Sequence, residues 1–288
     1  MDIYDFFTAN PEAYLAVIAV LSLIIGSFLN VVIYRLPVIL EHNWSEECRI
    51  YLGLKPHQEI SKLNLCLPNS HCPQCKNNIK PWHNIPLISY FLLRGKCAAC
   101  QTRISIRYPL VEAVTCFMSV YVAWKFGFSW QALAALSFTW ICISLTFIDL
   151  DHHILPDELT LLLLWIGLFG SIFSLFCTSN AAIIGAIAGY VIFALTQLTF
   201  EWATGKSGMG QGDVKFLAAL GGFLGWQMLP LIIILASFTG IIFAFTHMIV
   251  KRHFKSVPLP FGPYLALAGW IAMLWGNEIM QYYYSVIL

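Results

Sequence analysis

The sequence predicts an all-α polytopic membrane protein with about eight transmembrane helices and one long extramembrane insertion. Three observations carry that prediction. Of the 288 residues, 59% are hydrophobic and 11% charged, where soluble domains hold about 25% charged and about 45–50% apolar residues. The mean hydropathy is +0.73. Charged residues are also spaced so that the uncharged stretches between them approach the roughly 20 residues an α-helix needs to cross a bilayer. Disordered, collagen-like and coiled-coil classes are excluded by the same composition. A net charge of +1 gives no strongly basic face for nucleic acid, so no nucleic-acid partner is expected.

Taken in order, residues 13–34 lie uncharged between Glu12 and Arg35 and supply the first span. Residues 108–124 are apolar except for Glu112, and 126–148 run uncharged from Lys125 to Asp149. The stretch 159–200, broken by Thr178-Ser179-Asn180, reads as a helical hairpin. Residues 216–250 must supply two crossings across Gly221-Gly222, Gly225 and Pro230, so one of those helices is expected to be short or broken. The last span, 256–277, is entered through Pro258, Pro260 and Pro263. No internal repeat, heptad or low-complexity tract stands out.

Lysine and arginine placement orients these spans. Arg35, Arg49, Lys55, Lys62, Lys76, Lys80, Arg94, Lys96, Arg103 and Arg107 lie in the first long loop, and Lys206, Lys215, Lys251, Arg252 and Lys255 in later loops on the same side. Of the 16 basic residues, Lys125 alone falls opposite. The loop 35–107 is therefore expected to be cytoplasmic and both termini to face outward. Asp2, Asp5 and Glu12 precede the first apolar run without a basic residue, which argues for a retained helix over a cleavable signal.

Within that loop, Cys72-Pro73-Gln74-Cys75 and Cys97-Ala98-Ala99-Cys100 form two CxxC pairs. The intervening segment 76–96 slightly exceeds the usual zinc-ribbon spacing of about 15–20 residues. Each pair can offer two thiolates along one edge of a tetrahedron, and two pairs close it. Disulfides are the alternative, disfavoured in a reducing cytosol. A closed four-thiolate site has no open position, so the zinc it would hold is structural, stapling a loop poor in apolar residues. His71 and His83 compete as ligands, but four cysteines fill the shell. Cys116, Cys142 and Cys177 lie in apolar helices as small core residues, and Cys48 and Cys66 carry no signal.

Two aspartates stand at membrane boundaries. Asp149 closes one apolar stretch within Phe147-Ile148-Asp149-Leu150-Asp151-His152-His153, and Asp213 opens another within Gly208-Met209-Gly210-Gln211-Gly212-Asp213-Val214-Lys215. Both fall on the cytoplasmic side, so they can meet at one membrane face. Ionisable groups at membrane depth are functional candidates. Two carboxyls sharing a site keep one proton between them, which suits aspartic proteolysis: one draws a proton from water and the other polarises the scissile carbonyl. Gly210 and Gly212 allow a sharp turn and close substrate approach, and Lys215 is a candidate counter-ion for the pair. An N-cap role for Asp213 and solvated loop positions for Asp149 and Asp151 are the plain alternatives.

With these residues assembled, the chain resembles the type IV prepilin peptidases, bifunctional leader peptidase/N-methyltransferases of bacterial pilus and type II secretion systems. The resemblance rests on Gly26–Pro37 (GSFLNVVIYRLP), the four-cysteine loop with Asn84-Ile85-Pro86 and Arg94-Gly95-Lys96-Cys97 inside it, Arg107–Glu112 (RYPLVE), the two aspartate motifs and Pro260-Phe261-Gly262-Pro263. Tyr34 departs from the histidine many relatives carry. The resemblance implies that Asp149 and Asp213 are catalytic. It implies substrates that are prepilins and pseudopilins, whose basic leader is cut after a glycine at the cytoplasmic face of the inner membrane. It also implies methylation of the new amino terminus from S-adenosylmethionine, with Gly95 linked to that step. The expected division is 1–37 as first transmembrane helix, 38–107 as metal-binding cysteine loop and 108–288 as peptidase core, in a multi-pass protein with periplasmic termini and the lipid bilayer as partner. Glu112, Asp151, Asp157 and Glu158 are candidate attractors for a basic leader. The main alternative is a proton- or ion-coupled transporter using the aspartates as a relay, which would place them near the midplane of broken helices.

Overall fold

The computed structural model describes residues 2–55, 64–205, 208–251 and 260–287. Lys62, Lys206, Arg252, Lys255 and Pro258, used above for orientation and span entry, lie outside them. Among the described residues the chain is mostly helical and has no strand beyond isolated bridges. It divides into two compact units, Met1–Phe128 and Ser129–Leu288.

In the first unit, α1 (Ile3–Ala9) leads into α2 (Pro11–Tyr51) and α4 (Arg107–Phe126), with the short α3 (Ile88–Leu92) in the cysteine loop. Proline at the first position of α2 is pre-set for helix, and its missing N–H would have been unpaired there. The helix does not stop near Arg35. It runs unbroken through Pro37 to Tyr51, about 60 Å in all, and ends where Gly53 takes a positive φ of 67°. Arg35 is buried and donates to three backbone oxygens, Asn64 O at 3.0 Å, Leu65 O at 3.4 Å and Pro68 O at 2.6 Å, which ties the approach to the first CxxC pair onto α2. Helix α4 packs along α2 so closely that a Cβ at Gly26 would lie 2.9 Å from the Cα of Glu112.

The second unit contains α5 (Trp130–His152), α6 (Asp157–Ile172), α7 (Ser179–Thr204), α8 (Gln211–Leu224), α9 (Leu229–Lys251) and α10 (Gly262–Ile287). Ser129 and Thr178 cap α5 and α7 by accepting backbone N–H bonds from Ala132 and Ala181. The expected interruption in 216–250 is present: Gly225, at φ 87°, ends α8 and a single 3-10 turn, Trp226–Met228, precedes α9. Helix α8 has 14 residues, about 21 Å, short of the roughly 30 Å hydrocarbon layer. Every residue from Phe216 to Leu224 is buried, with α6, α7 and α10 against it.

That burial depends on backbones in near contact. A Cβ at Gly185 of α7 would sit 2.2 Å from the Gly221 carbonyl oxygen, and one at Gly221 would sit 2.2 Å from that of Gly185. One at Gly189 would meet Leu217 O at 2.6 Å, and one at Gly167 of α6 the Phe223 backbone at 2.6 Å. Glycine at these crossings is how membrane helices approach without a hydrophobic driving force between them.

Among the described residues, four helical segments are long and apolar enough to cross a bilayer: Pro11–Tyr51, Trp130–His152, Ser179–Thr204 and Trp226–Thr246. The remaining uncharged stretches also hold helices, α4, α6, α8 and α10.

Gly185→Val and Gly221→Val are each expected to lower stability in detergent by about 1–3 kcal/mol, because overpacking has no slack to relax into. Ile187→Ala, on the exposed face of α7, should stay within about 0.5 kcal/mol. Thermal unfolding followed by helix signal distinguishes them, and equal shifts would mean that the α7–α8 crossing tolerates separation.

Candidate active site

Asp149 occupies the last turn of α5 and is only 4% exposed. His153 then turns the chain through a left-handed conformation, φ 54°, and Leu155 and Pro156 lead into α6. Across from this link, Asp213 is the third residue of α8. The second unit thus brings the end of α5 and the starts of α8 and α10 to one place.

Gly262, first residue of α10, donates its N–H to Asp149 Oδ2 at 2.9 Å. No side chain fits there: a Cβ on Gly262 would lie 2.6 Å from that oxygen and 2.9 Å from Leu155 Cδ2. Leu155 wedges the other helix start too, since a Cβ on Gly212 would lie 2.7 Å from Leu155 Cβ. Asp213 is near enough to Asp149 for a direct charge–charge interaction. Its Oδ1 is buried with no hydrogen-bond partner among the described residues, a condition that ordinarily costs a polar group about 1–3 kcal/mol. One carboxyl is clamped and the other presents a bare oxygen beside it.

Lys215 is not the counter-ion of this pair. Its Nζ lies 2.5 Å from Asp157 Oδ2, at the first turn of α6, and both side chains are substantially exposed. Helical geometry accounts for it: Lys215 lies two residues past Asp213 and so points about 200° around the helix from it. Glu112 also has a different role from attracting a leader, being buried and accepting the Leu87 N–H at 2.8 Å. Beside Asp213, Gln211 donates to Gln197 Oε1 at 3.2 Å and Gln197 to Glu201 Oε1 at 3.0 Å, fastening the end of α7 to the start of α8. Leu155 and the Gly262 N–H had no assigned role in the sequence. The available signal was a glycine flanked by Phe261 and Pro263 at the mouth of an apolar stretch.

In the first unit the four predicted ligands converge: the sulfurs of Cys72, Cys75, Cys97 and Cys100 lie within 4.8 Å of one another. The two pairs repeat one fold. Cys72 and Cys97 each donate backbone N–H to the residue five ahead, Asn77 O at 3.0 Å and Thr102 O at 2.8 Å. Each accepts from the residue four ahead, Lys76 at 2.8 Å and Gln101 at 3.0 Å, and both of those adopt positive φ, 54° and 59°. Amides of Cys75 and Gln74 directed at the Cys72 sulfur lower its pKa. The Thr102 hydroxyl and amide bring Cys100 down to about 6. Against the Asn77 amide, burial and the neighbouring sulfurs push Cys75 up to about 11. Sulfurs so crowded ionise together only around a cation, and this donor set fits a tetrahedral thiophilic metal.

Gly95 belongs to the second of these knuckles. Its φ is 66°, its N–H bonds Tyr90 O at 2.8 Å, its carbonyl accepts from Ile104 at 2.7 Å, and a Cβ would meet the Tyr90 ring at 3.0 Å. Both backbone groups of Gly95 are thus engaged within the knuckle, with the Tyr90 ring against it.

Fold and site together define a helical membrane protein with a carboxylate pair at helix ends and a four-cysteine knuckle. Comparison with known proteins agrees. Residues 20–126 match the bacterial peptidase A24 N-terminal domain and residues 136–245 the type IV leader peptidase family. The prepilin leader peptidase/N-methyltransferase of Pseudomonas aeruginosa is 48% identical over 283 residues, 98% of both chains. Those of Legionella pneumophila and Neisseria gonorrhoeae are 45% and 47% identical, over 93% and 91% of each chain. No solved structure matches. The chain belongs to the prepilin leader peptidase/N-methyltransferase family.

Purified full-length protein is expected to carry a bound divalent ion measurable by plasma mass spectrometry. Cys97→Ser should lose it and Cys48→Ser, outside the cluster, should retain it. A metal content unchanged in Cys97→Ser would remove the cluster as the site.

Proposed function

We propose that this protein cleaves the basic leader of prepilins and pseudopilins with the Asp149/Asp213 pair and methylates the amino terminus so exposed. The relatives' names support both activities, and the observation that carries the cleavage is the convergence of Asp149, held by the Gly262 N–H, with Asp213 and its bare buried oxygen. The pair shares one proton. The charged carboxyl takes a proton from water while the protonated one donates to the scissile carbonyl. The water oxygen bonds the carbonyl carbon to give a gem-diol. As the C–N bond breaks, the departing amine takes the proton that the first carboxyl drew from water, and a diol O–H returns a proton to the second carboxyl, which restores the pair. Gly262 supplies orientation: an N–H anchored on α10 fixes the Asp149 carboxyl relative to Asp213. Both acids sit at helix ends, in the last turn of α5 and the first of α8, which suits cutting at the membrane boundary and not relay of ions along a span.

In this reading the four cysteines hold structural zinc. S-adenosylmethionine supplies the methyl group, and Gly95 acts on that step by holding the second knuckle. The protein lies in the bacterial inner membrane with about eight spans. The lysine and arginine bias supports periplasmic termini, with the cysteine loop and carboxylate pair on the cytoplasmic side. Residues 1–37, 38–107 and 108–288 serve as first span, metal-binding loop and peptidase core.

The test mixes protein in detergent with a prepilin and S-adenosylmethionine and reads product masses. Wild type should yield a shortened, singly methylated pilin, and Asp149→Asn and Asp213→Asn should leave the leader attached. Cleavage by either variant would remove that residue from the mechanism.

A further inference from the structure

Between the two CxxC pairs lies a segment that neither the metal site nor the carboxylate pair uses. From Pro81 to Leu93 no residue is an acid, lysine or arginine, while Lys80 and Arg94 flank it. Trp82, Ile85, Ile88, Phe91 and Leu92 all stand exposed, the last two at 73% and 77%. For water, this is an unfavourable surface; contiguous exposed apolar patches mark lipid or protein contacts.

Its position in the first unit identifies the partner. Together with α2, the segment walls an apolar groove of about 610 Å³, with Val20, Ile24 and Phe28 on one side and Ile85, Pro86 and Ile88 on the other. Those α2 residues belong to the membrane-crossing stretch, and Ser27, also in the groove wall, lies eight residues before Arg35, about 12 Å along the helix axis. We infer that residues 81–93 form an elbow that enters the bilayer from the side of the cysteine loop, and that its exposed side chains and the groove beside it take lipid acyl chains.

The elbow's backbone is built for that setting, where non-helical N–H groups need protein partners. Pro81–Asn84 forms a 3-10 turn and α3 follows. Leu87 sits at the bend with φ 58°, strained for a leucine, and its N–H is received by Glu112 Oε2 at 2.8 Å. Ser89 donates N–H to Ile85 O at 3.1 Å and its hydroxyl to Trp82 O at 3.1 Å. A buried acid in an apolar helix thereby has a specific purpose, holding the bend against α2 and α4. Lys80 lies 5.5 Å over the Trp82 ring, an arrangement suited to the headgroup level. At the base, the sulfur cluster closes the elbow's two ends.

The inference rests on α2 crossing the membrane, and its test separates the two. Full-length protein in nanodiscs of phosphatidylethanolamine and phosphatidylglycerol would carry the photocrosslinker p-benzoylphenylalanine at Phe91, Ile88, Val20 or Tyr51, with lipid adducts read by mass spectrometry. Adducts to acyl chains are expected at Phe91 and Ile88 as at Val20, and their loss at Tyr51. Val20 adducts without any at Phe91 and Ile88, or adducts there to protein alone, would overturn the elbow. Absence at Val20 as well would overturn the α2 crossing and the elbow with it. In the same assay, Glu112→Gln should keep the Phe91 adduct, since its amide oxygen still accepts, and Glu112→Leu should lose it. Equal adducts in both would overturn the role given to Glu112.

Discussion

Everything in the second unit depends on how closely α7 and α6 approach α8. A helix of about 21 Å cannot by itself present matched ends to both membrane faces, so its depth is set by what it packs against. Gly185 against Gly221, Gly189 against Leu217 and Gly167 against Phe223 determine that depth through backbone contact, which has almost no compressible give. Asp213 stands on the first turn of this helix. Any slippage of α8 would move it relative to Asp149, which is fixed from another direction by α10 through Gly262. Leu155 sits against both helix starts and couples the two constraints.

A second regularity is how buried polar groups are treated. Arg35 meets three carbonyl oxygens, Glu112 an amide, Asp149 an amide and Trp270 the Thr139 hydroxyl at 3.2 Å. In a bilayer an unpaired group has no water to fall back on, so such pairing is expected. Asp213 Oδ1 departs from it. When ionised, this oxygen can accept from a water, and when protonated it can donate to a peptide carbonyl, the two contacts that aspartic proteolysis needs.

Much of this was legible in the sequence, and the limits have physical causes. Charge-free stretches located the helices because the bilayer penalises charge along the whole span, and the glycine-rich interruption near 225 correctly announced a short helix. The CxxC pairs were legible because metal ligation demands short spacing. Hidden from it was the continuation of α2 to Tyr51, since a helical stretch rich in charged and polar residues has no hydropathy mark. Spacing along one helix also could not show that Lys215 reaches Asp157 on another. Gly262 was recognisable as part of a motif, yet a backbone N–H donated across 113 positions leaves no residue-type signature.

The placement of the two acids also bears on why such a pair is affordable in a membrane protein. Burying a carboxylate at midspan is severely unfavourable, and neighbouring dipoles there are already consumed by i to i−4 bonding. At helix starts, N–H groups are unpaired by construction, and two such starts, those of α8 and α10, lie at this site. Asp149 takes one of those amides directly, and Asp213 lies within the first turn, where the helix dipole favours negative charge. The start of α10 thus furnishes, without any additional side chain, the donor that Asp149 needs when ionised. This explains how the site can be assembled among apolar neighbours with glycine and leucine as its closest supports.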